Sequence, residues 1–132
     1  MENTLDKLKK ASAGLLFMSE SDYPFETVSF PAGKLLALDE ESVKQALNLP
    51  AEAGIEKQEL TYFLRNQTRE LPEFSEEDKA RAQRFRELEN VLKQELKDVA
   101  VFRTGQTQID AYVLGKMADG STGGLKTRLI ET

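Results

Sequence analysis

The side chains in this sequence that could do chemistry are almost all oxygen-bearing. Glu20 and Asp22 stand two apart in the polar stretch Ser19-Glu20-Ser21-Asp22-Tyr23-Pro24, and paired carboxylates are what general acid–base glycoside hydrolysis needs. Nothing else supports that chemistry, because the chain has no Trp to stack a sugar and its other acids read as helix-surface residues. A carboxylate hydrolase therefore ranks last among the readings.

The run Asp119-Gly120-Ser121-Thr122-Gly123-Gly124-Leu125-Lys126-Thr127 has the residue types of a phosphate cradle. A P-loop, however, requires Gly-Lys-Ser/Thr to be contiguous at the start of a helix. Here Leu125 separates Gly124 from Lys126, and the five residues after Thr127 leave no room for that helix. The run reads as a flexible hairpin loop between strands. The acids of residues 70–78 lack the Asp-x-Asp-x-Asp-Gly spacing of a calcium loop and read as a helix start with favourable dipole interactions.

Composition narrows the classes further. The 132 residues include no Cys and no His, which removes disulfides, Cys or His zinc sites, a thiol nucleophile and a Ser-His-Asp triad. Lys plus Arg number 18 against 23 Asp plus Glu, giving 18 − 23 = −5. That balance offers no excess of cations for phosphates, so nucleic acid is not an expected direct ligand and a cationic partner is. The longest apolar runs, residues 15–18 and 35–38 among them, are four residues each, far below the roughly 20 that span a bilayer. Five of the first ten residues are charged, which is unlike a secretory signal. A soluble, cytoplasmic, single-domain protein is expected over residues 1–132.

The elements that must position these residues follow from periodicity. Leu5, Leu8 and Ala11 mark a first helix ended by Gly14. Residues 15–18 form an apolar plug, residues 19–24 an exposed connection, and residues 25–30 an alternating strand. Residues 34–38 are a possible second strand, Asp39-Glu40-Glu41 caps a short helix stopped before Pro50, and residues 59–66 form another. The clearest element begins at Ser75-Glu76-Glu77-Asp78, behind which Phe85, Leu88, Leu92 and Leu96 trace one stripe. Residues 99–102, 108–114 and 125–130 then read as an antiparallel meander. Ile109, Ala111 and Val113 share one face while Tyr112 and Leu114 share the other, so helices should cover both sides of the sheet. The fold class is α+β. At the far end, Glu131-Thr132 offers hydroxyl and carboxylate oxygens that could complete the shell of a Mg²⁺ ion held by another protein.

Two blocks carry a resemblance. Residues 8–12 (Leu-Lys-Lys-Ala-Ser) with 14–26 (Gly-Leu-Leu-Phe-Met-Ser-Glu-Ser-Asp-Tyr-Pro-Phe-Glu) resemble the N-terminal signature of the nuclease A inhibitor (NuiA-like) family. Residues 101–105, 109–115 and 126–132 are similar to that family's closing strands and Glu-Thr terminus. Between residue 34 and about residue 75 the likeness is faint. The resemblance implies an α/β/α sandwich, with a small, mainly antiparallel sheet covered by helices, that blocks a sugar-nonspecific, Mg²⁺-dependent endonuclease degrading DNA and RNA. It implies a monomer in a 1:1 complex and no cofactor of its own, the Mg²⁺ at the interface being the target's.

By position, the resemblance makes Glu20 the partner of a cationic group of the nuclease and Thr132 the residue that bridges to its Mg²⁺. Asp22, Tyr23 and Glu131 fall beside them. Family members can carry an acid followed by Trp just ahead of the long helix, where this sequence has Glu73-Phe74. Phe74 is either an interface anchor or a hydrophobic staple on the helix. The alternative function keeps the fold and directs the acidic face to a cationic protein that is not a nuclease.

Overall fold

Helix α1 (Thr4–Ser12) is closed by Gly14 at φ 76°, as its apolar spacing and following glycine predict. The computed structural model describes residues 4–18, 22–31, 38–50, 53–69, 71–105 and 107–130. After α1 come β1 (Leu16–Met18), β2 (Asp22–Pro24), β3 (Glu26–Phe30), α2 (Glu40–Ala46) and β4 (Ile55–Gln58). The chain continues through α3 (Leu60–Phe63), α4 (Arg65–Thr68), α5 (Glu76–Glu95), β5 (Lys97–Thr104), β6 (Gln108–Lys116) and β7 (Thr122–Ile130). Strands β1 and β2 form a small antiparallel hairpin, and the remaining strands form a five-stranded antiparallel sheet in the order β3-β7-β6-β5-β4.

Period-two alternation sorts the sheet into two faces. Val101 of β5, Val113 of β6 and Leu125 of β7 lie opposite one another in register, and they share a core with Leu8 of α1, Leu60 and Phe63 of α3, and Phe85, Leu88 and Leu92 of α5. Phe85 and Leu88 are fully buried, each contributing about 1.5–3 kcal/mol of apolar transfer free energy. The other face places Ala100, Phe102 and Leu114 against Val43 and Ala46 of α2. Helices therefore lie on both sides of an antiparallel sheet, which is the α+β arrangement that the doubly apolar strands predict.

The helix starts are set by local hydrogen bonds. Asp39 caps α2 by accepting from the Ser42 N–H at 2.7 Å, and Ser75 caps α5 by accepting from the Asp78 N–H at 3.1 Å.

Four readings change. Asp22–Pro24 is a strand rather than a connection, because it pairs with β1 and is held from outside by β7. Residues 59–66 are not one helix but the short α3 and α4, separated at Leu64. Ile55–Gln58 forms edge strand β4, whose pairing to β5 supplies what its weak apolar pattern lacks. Thr122, Gly123 and Gly124 belong to β7 and are buried, so the turn before it is shorter than the Gly-rich run. A Cβ at Gly124 would run into the Val113 backbone carbonyl, so this glycine permits close strand approach rather than loop flexibility. The possible strand over residues 34–38 falls largely outside the described residues.

Candidate partner-binding face

The candidate residues that the structure describes, Asp22, Tyr23, Glu73 and Phe74, lie toward one end of the sheet, and chain direction explains why. Helix α5 ends at Glu95 and β5 begins two residues later at Lys97, so the C-terminal end of α5 meets the beginning of β5. Two antiparallel reversals then bring β7 to its last residues at the opposite end, beside the beginning of α5. The β1–β2 hairpin joins that end through Thr127, whose buried hydroxyl donates to the Pro24 carbonyl at 3.0 Å and, at 3.4 Å, to that of Tyr23.

Asp22 is exposed at the start of β2, and Tyr23 is half-buried beside it. Tyr23 lies opposite Phe17 in the hairpin register, on the side that faces the core. It also lines a groove of about 180 Å³ with Pro24, Glu26, Lys126, Thr127 and Arg128. Arg128 donates from Nε to Asp110 Oδ1 at 3.1 Å. This bond, then the Asp110 charge, and to a lesser degree Tyr23 and Tyr112, hold the guanidinium above its ordinary pKa and keep it charged. Lys126 sits 5.5 Å from the centroid of the Tyr112 ring, within cation–π range.

Glu73 and Phe74 occupy the turn that leads into α5, where the Phe74 N–H donates to the Leu71 carbonyl at 3.0 Å. Glu73 is exposed and Phe74 half-buried. A hydrophobic staple would pair Phe74, just before the Ser75 cap, with an apolar residue at the fourth helical position. That residue is Lys79, so the staple reading lacks its partner. Glu20, Glu131 and Thr132 lie outside the described residues. The described structure thus brings Asp22, Tyr23, Glu73 and Phe74 toward the end where β7 finishes.

Arg81 and Arg84 escape the sequence reading although they shape this end, and Leu16 and Thr127 enter it only within the apolar plug, the Gly-rich run and the family blocks, without a task of their own. The arginines look like ordinary solvated helix residues until the hairpin is placed against them, and their spacing of three was the available signal. Among the described residues, no cluster of three or more Asp or Glu side chains is arranged to hold a metal ion. Nor is any helix there long and apolar enough to cross a membrane.

Three carboxylates have clear electrostatic consequences. Asp39 is held below its ordinary pKa by hydrogen bonds from Ser42, Asp119 by those from Ser121, and Asp78 by Ser75 and Arg81. A lowered folded-state pKa gives stability that is fully present above the unfolded value, about 3.9, and is lost as pH falls through the folded value. Thermal melting should therefore be flat on this account from about pH 7 to 5 and fall below about pH 4. The check is to melt Asp39→Asn across that range, which should flatten part of the acid decline.

The geometry defines a small α+β protein whose antiparallel sheet gathers acidic and aromatic side chains at one end. Comparison with known protein families matches residues 2–132 to the nuclease A inhibitor-like proteins, and the chain belongs to that family. At family level its function is that of a nuclease inhibitor. Comparison with curated proteins finds no match.

Proposed function

We propose that this protein inhibits a sugar-nonspecific, Mg²⁺-dependent endonuclease by covering its active site with the sheet end that carries the hairpin and the end of β7. The observation that carries the reading is family membership over residues 2–132. Glu20 pairs with a cationic group that would otherwise hold substrate phosphate. Thr132 contributes hard oxygen to the Mg²⁺ of the nuclease, and Asp22, Tyr23, Glu73, Phe74 and Glu131 surround these contacts.

The charge balance supports the same reading. A nuclease presents cations and a metal to phosphate, so a chain of net charge −5 gains long-range attraction and can put carboxylates where phosphates would sit. Magnesium prefers oxygen ligands and retains exchangeable positions; a threonine oxygen fits that preference, and the ion itself supplies the electrophilic chemistry of the nuclease. In this role the chain performs no turnover. It excludes substrate from a site whose metal belongs to the partner, as a monomer in a 1:1 complex. Phe74, half-buried and without a staple partner, serves as the apolar anchor at the rim.

The test is titration of the chain against such a nuclease with plasmid DNA and with RNA as substrates. Stoichiometric loss of both activities in the presence of excess Mg²⁺ is the expected result. Loss that is reversed by adding Mg²⁺ would mean simple chelation and would overturn the reading.

A further inference from the structure

We propose that the notch between the β1–β2 hairpin and α5 is a specificity contact that accepts a carboxylate-bearing, partly apolar loop of the partner. This rests on the nuclease reading and names what the partner must present beside its cationic site. The notch has a volume of about 330 Å³ and is lined by Gly14, Leu15, Leu16, Asp22, Arg81 and Arg84.

Its cationic wall follows from helix geometry, since residues three apart project from the same side of a helix. Both guanidiniums are tethered. Arg84 Nη2 donates to the Ala13 carbonyl at 2.7 Å, tying α5 to the end of α1, and Arg81 Nη2 donates to Asp78 Oδ1 at 2.9 Å. A tethered guanidinium has less rotamer freedom to lose on binding, and its planar fork can engage a carboxylate through two parallel bonds. Gly14 forms the floor, on a backbone at φ 76° that side chains rarely adopt.

The apolar wall is Leu16. At 41% exposure it is, with Tyr62, one of two exposed large apolar side chains among the described residues. Strand alternation puts it on the outer face of the hairpin opposite Pro24, because Phe17 between β1 neighbours turns into the core.

Charge complementarity selects the occupant. Asp78 already pairs with Arg81 in a solvent-exposed ion pair and Asp22 lines the notch as well, but the Arg84 guanidinium bonds to a neutral carbonyl, so the two guanidiniums together still repel a cationic cleft at contact unless a carboxylate of the partner meets them. With a carboxylate they fix register and gain charge-assisted hydrogen bonds; with a cation at that position they reject the wrong nuclease. The acidic loop would thus recognise what such nucleases share, and the notch would recognise what differs among them.

Arg81→Glu is the informative variant, because Asp78, which pairs with Arg81, lies on the same helix and both groups are 37% exposed, so folding should change little. Its inhibition constant is measured against a sugar-nonspecific, Mg²⁺-dependent endonuclease that the unaltered chain inhibits, with Arg81→Gln alongside and thermal melting as the folding control. Weakening of at least about ten-fold for Arg81→Glu, and less for Arg81→Gln, is expected from the loss of a charge-assisted pair. Tighter inhibition, which is what an added negative charge facing a cationic cleft would give, overturns the proposal, and so does unchanged inhibition. If the unaltered chain inhibits no such nuclease, the nuclease reading itself fails; if it does inhibit and Arg81→Glu is not weakened, only the notch does.

Discussion

Replacing Glu20 by Ala should raise the inhibition constant against the target nuclease by about 30- to 5,000-fold, the equivalent of roughly 2–5 kcal/mol for truncating one partner of a buried, hydrogen-bonded charge pair. The size of the effect comes from what remains behind. A nuclease cation desolvated by the docked inhibitor would lose its carboxylate while water stays excluded, leaving a buried charge unpaired. A rim contact would behave differently, changing mainly the association rate and its salt dependence. Kinetics therefore separate the two arrangements: on the proposed reading the dissociation rate rises steeply, whereas the association rate at 0.15 M salt shifts only modestly. An inhibition constant within two-fold of the unaltered chain would remove Glu20 from the active-site contact. Glu20→Gln provides an intermediate case, retaining size and hydrogen bonding but not charge.

The second large effect concerns the scaffold. Phe85 is fully buried where α5 meets the sheet, and its ring meets Phe25 edge-on with centroids 6.1 Å apart. Phe25 in turn contacts Phe17 of the hairpin at 6.4 Å, and Phe17 stacks on Phe63 of α3 at 4.6 Å. Phe85→Ala removes the member of this cluster that belongs to the long helix, so a loss of about 3–5 kcal/mol is expected from transfer and cavity terms together. Against a typical total stability of about 5–15 kcal/mol, that is enough to lower the melting temperature by on the order of 10 °C or more. Because the cluster also seats the hairpin, inhibition should weaken even at temperatures where the variant remains folded. Chemical denaturation paired with an inhibition assay at 15 °C checks both effects. A stability change under 1 kcal/mol would mean that the ring is not packed as described.

The elements that could be read from the sequence are those whose determinants are local. Ser75 precedes a run of acids and a stripe through Phe85, Leu88 and Leu92, and α5 begins and packs as that pattern demands. The meander is equally legible, because Ile109, Ala111 and Val113 alternate with Tyr112 and Leu114 and each set finds its own helical layer. What was missed depends on partners distant in the chain. Asp22–Pro24 contains a proline and polar residues and looks like a turn, but it becomes a strand through β1 and a hydroxyl at Thr127. Ile55–Gln58 has little apolar content and exists as an edge strand because β5 offers it a ladder. Gly123 and Gly124 suggest flexibility, yet they are buried where strands approach closely.

The candidate site divides the same way. Spacing alone picked out the acids of residues 20 and 22 and offered them a glycoside hydrolysis that nothing else in the chain supports, and the family likeness supplied the nuclease. The pair Asp22-Tyr23 lies far from the pair Glu73-Phe74 in the chain, and only the antiparallel reversals of β5, β6 and β7 explain why both lie toward one end. Arg81 and Arg84 carried no sequence signal beyond their spacing, since a cation on a charged helix face acquires meaning only when a hairpin closes a notch over it.

The most direct test of the central claim is inhibition of a sugar-nonspecific, Mg²⁺-dependent endonuclease by the full chain and by the same chain lacking Thr132. Melting temperatures of the two should agree, because the last described residue of β7, Ile130, already pairs with Gln108. Loss of the metal-bridging oxygen is expected to weaken inhibition at least about ten-fold, the factor that corresponds to 1.4 kcal/mol. Equal potency of the two chains would contradict the account.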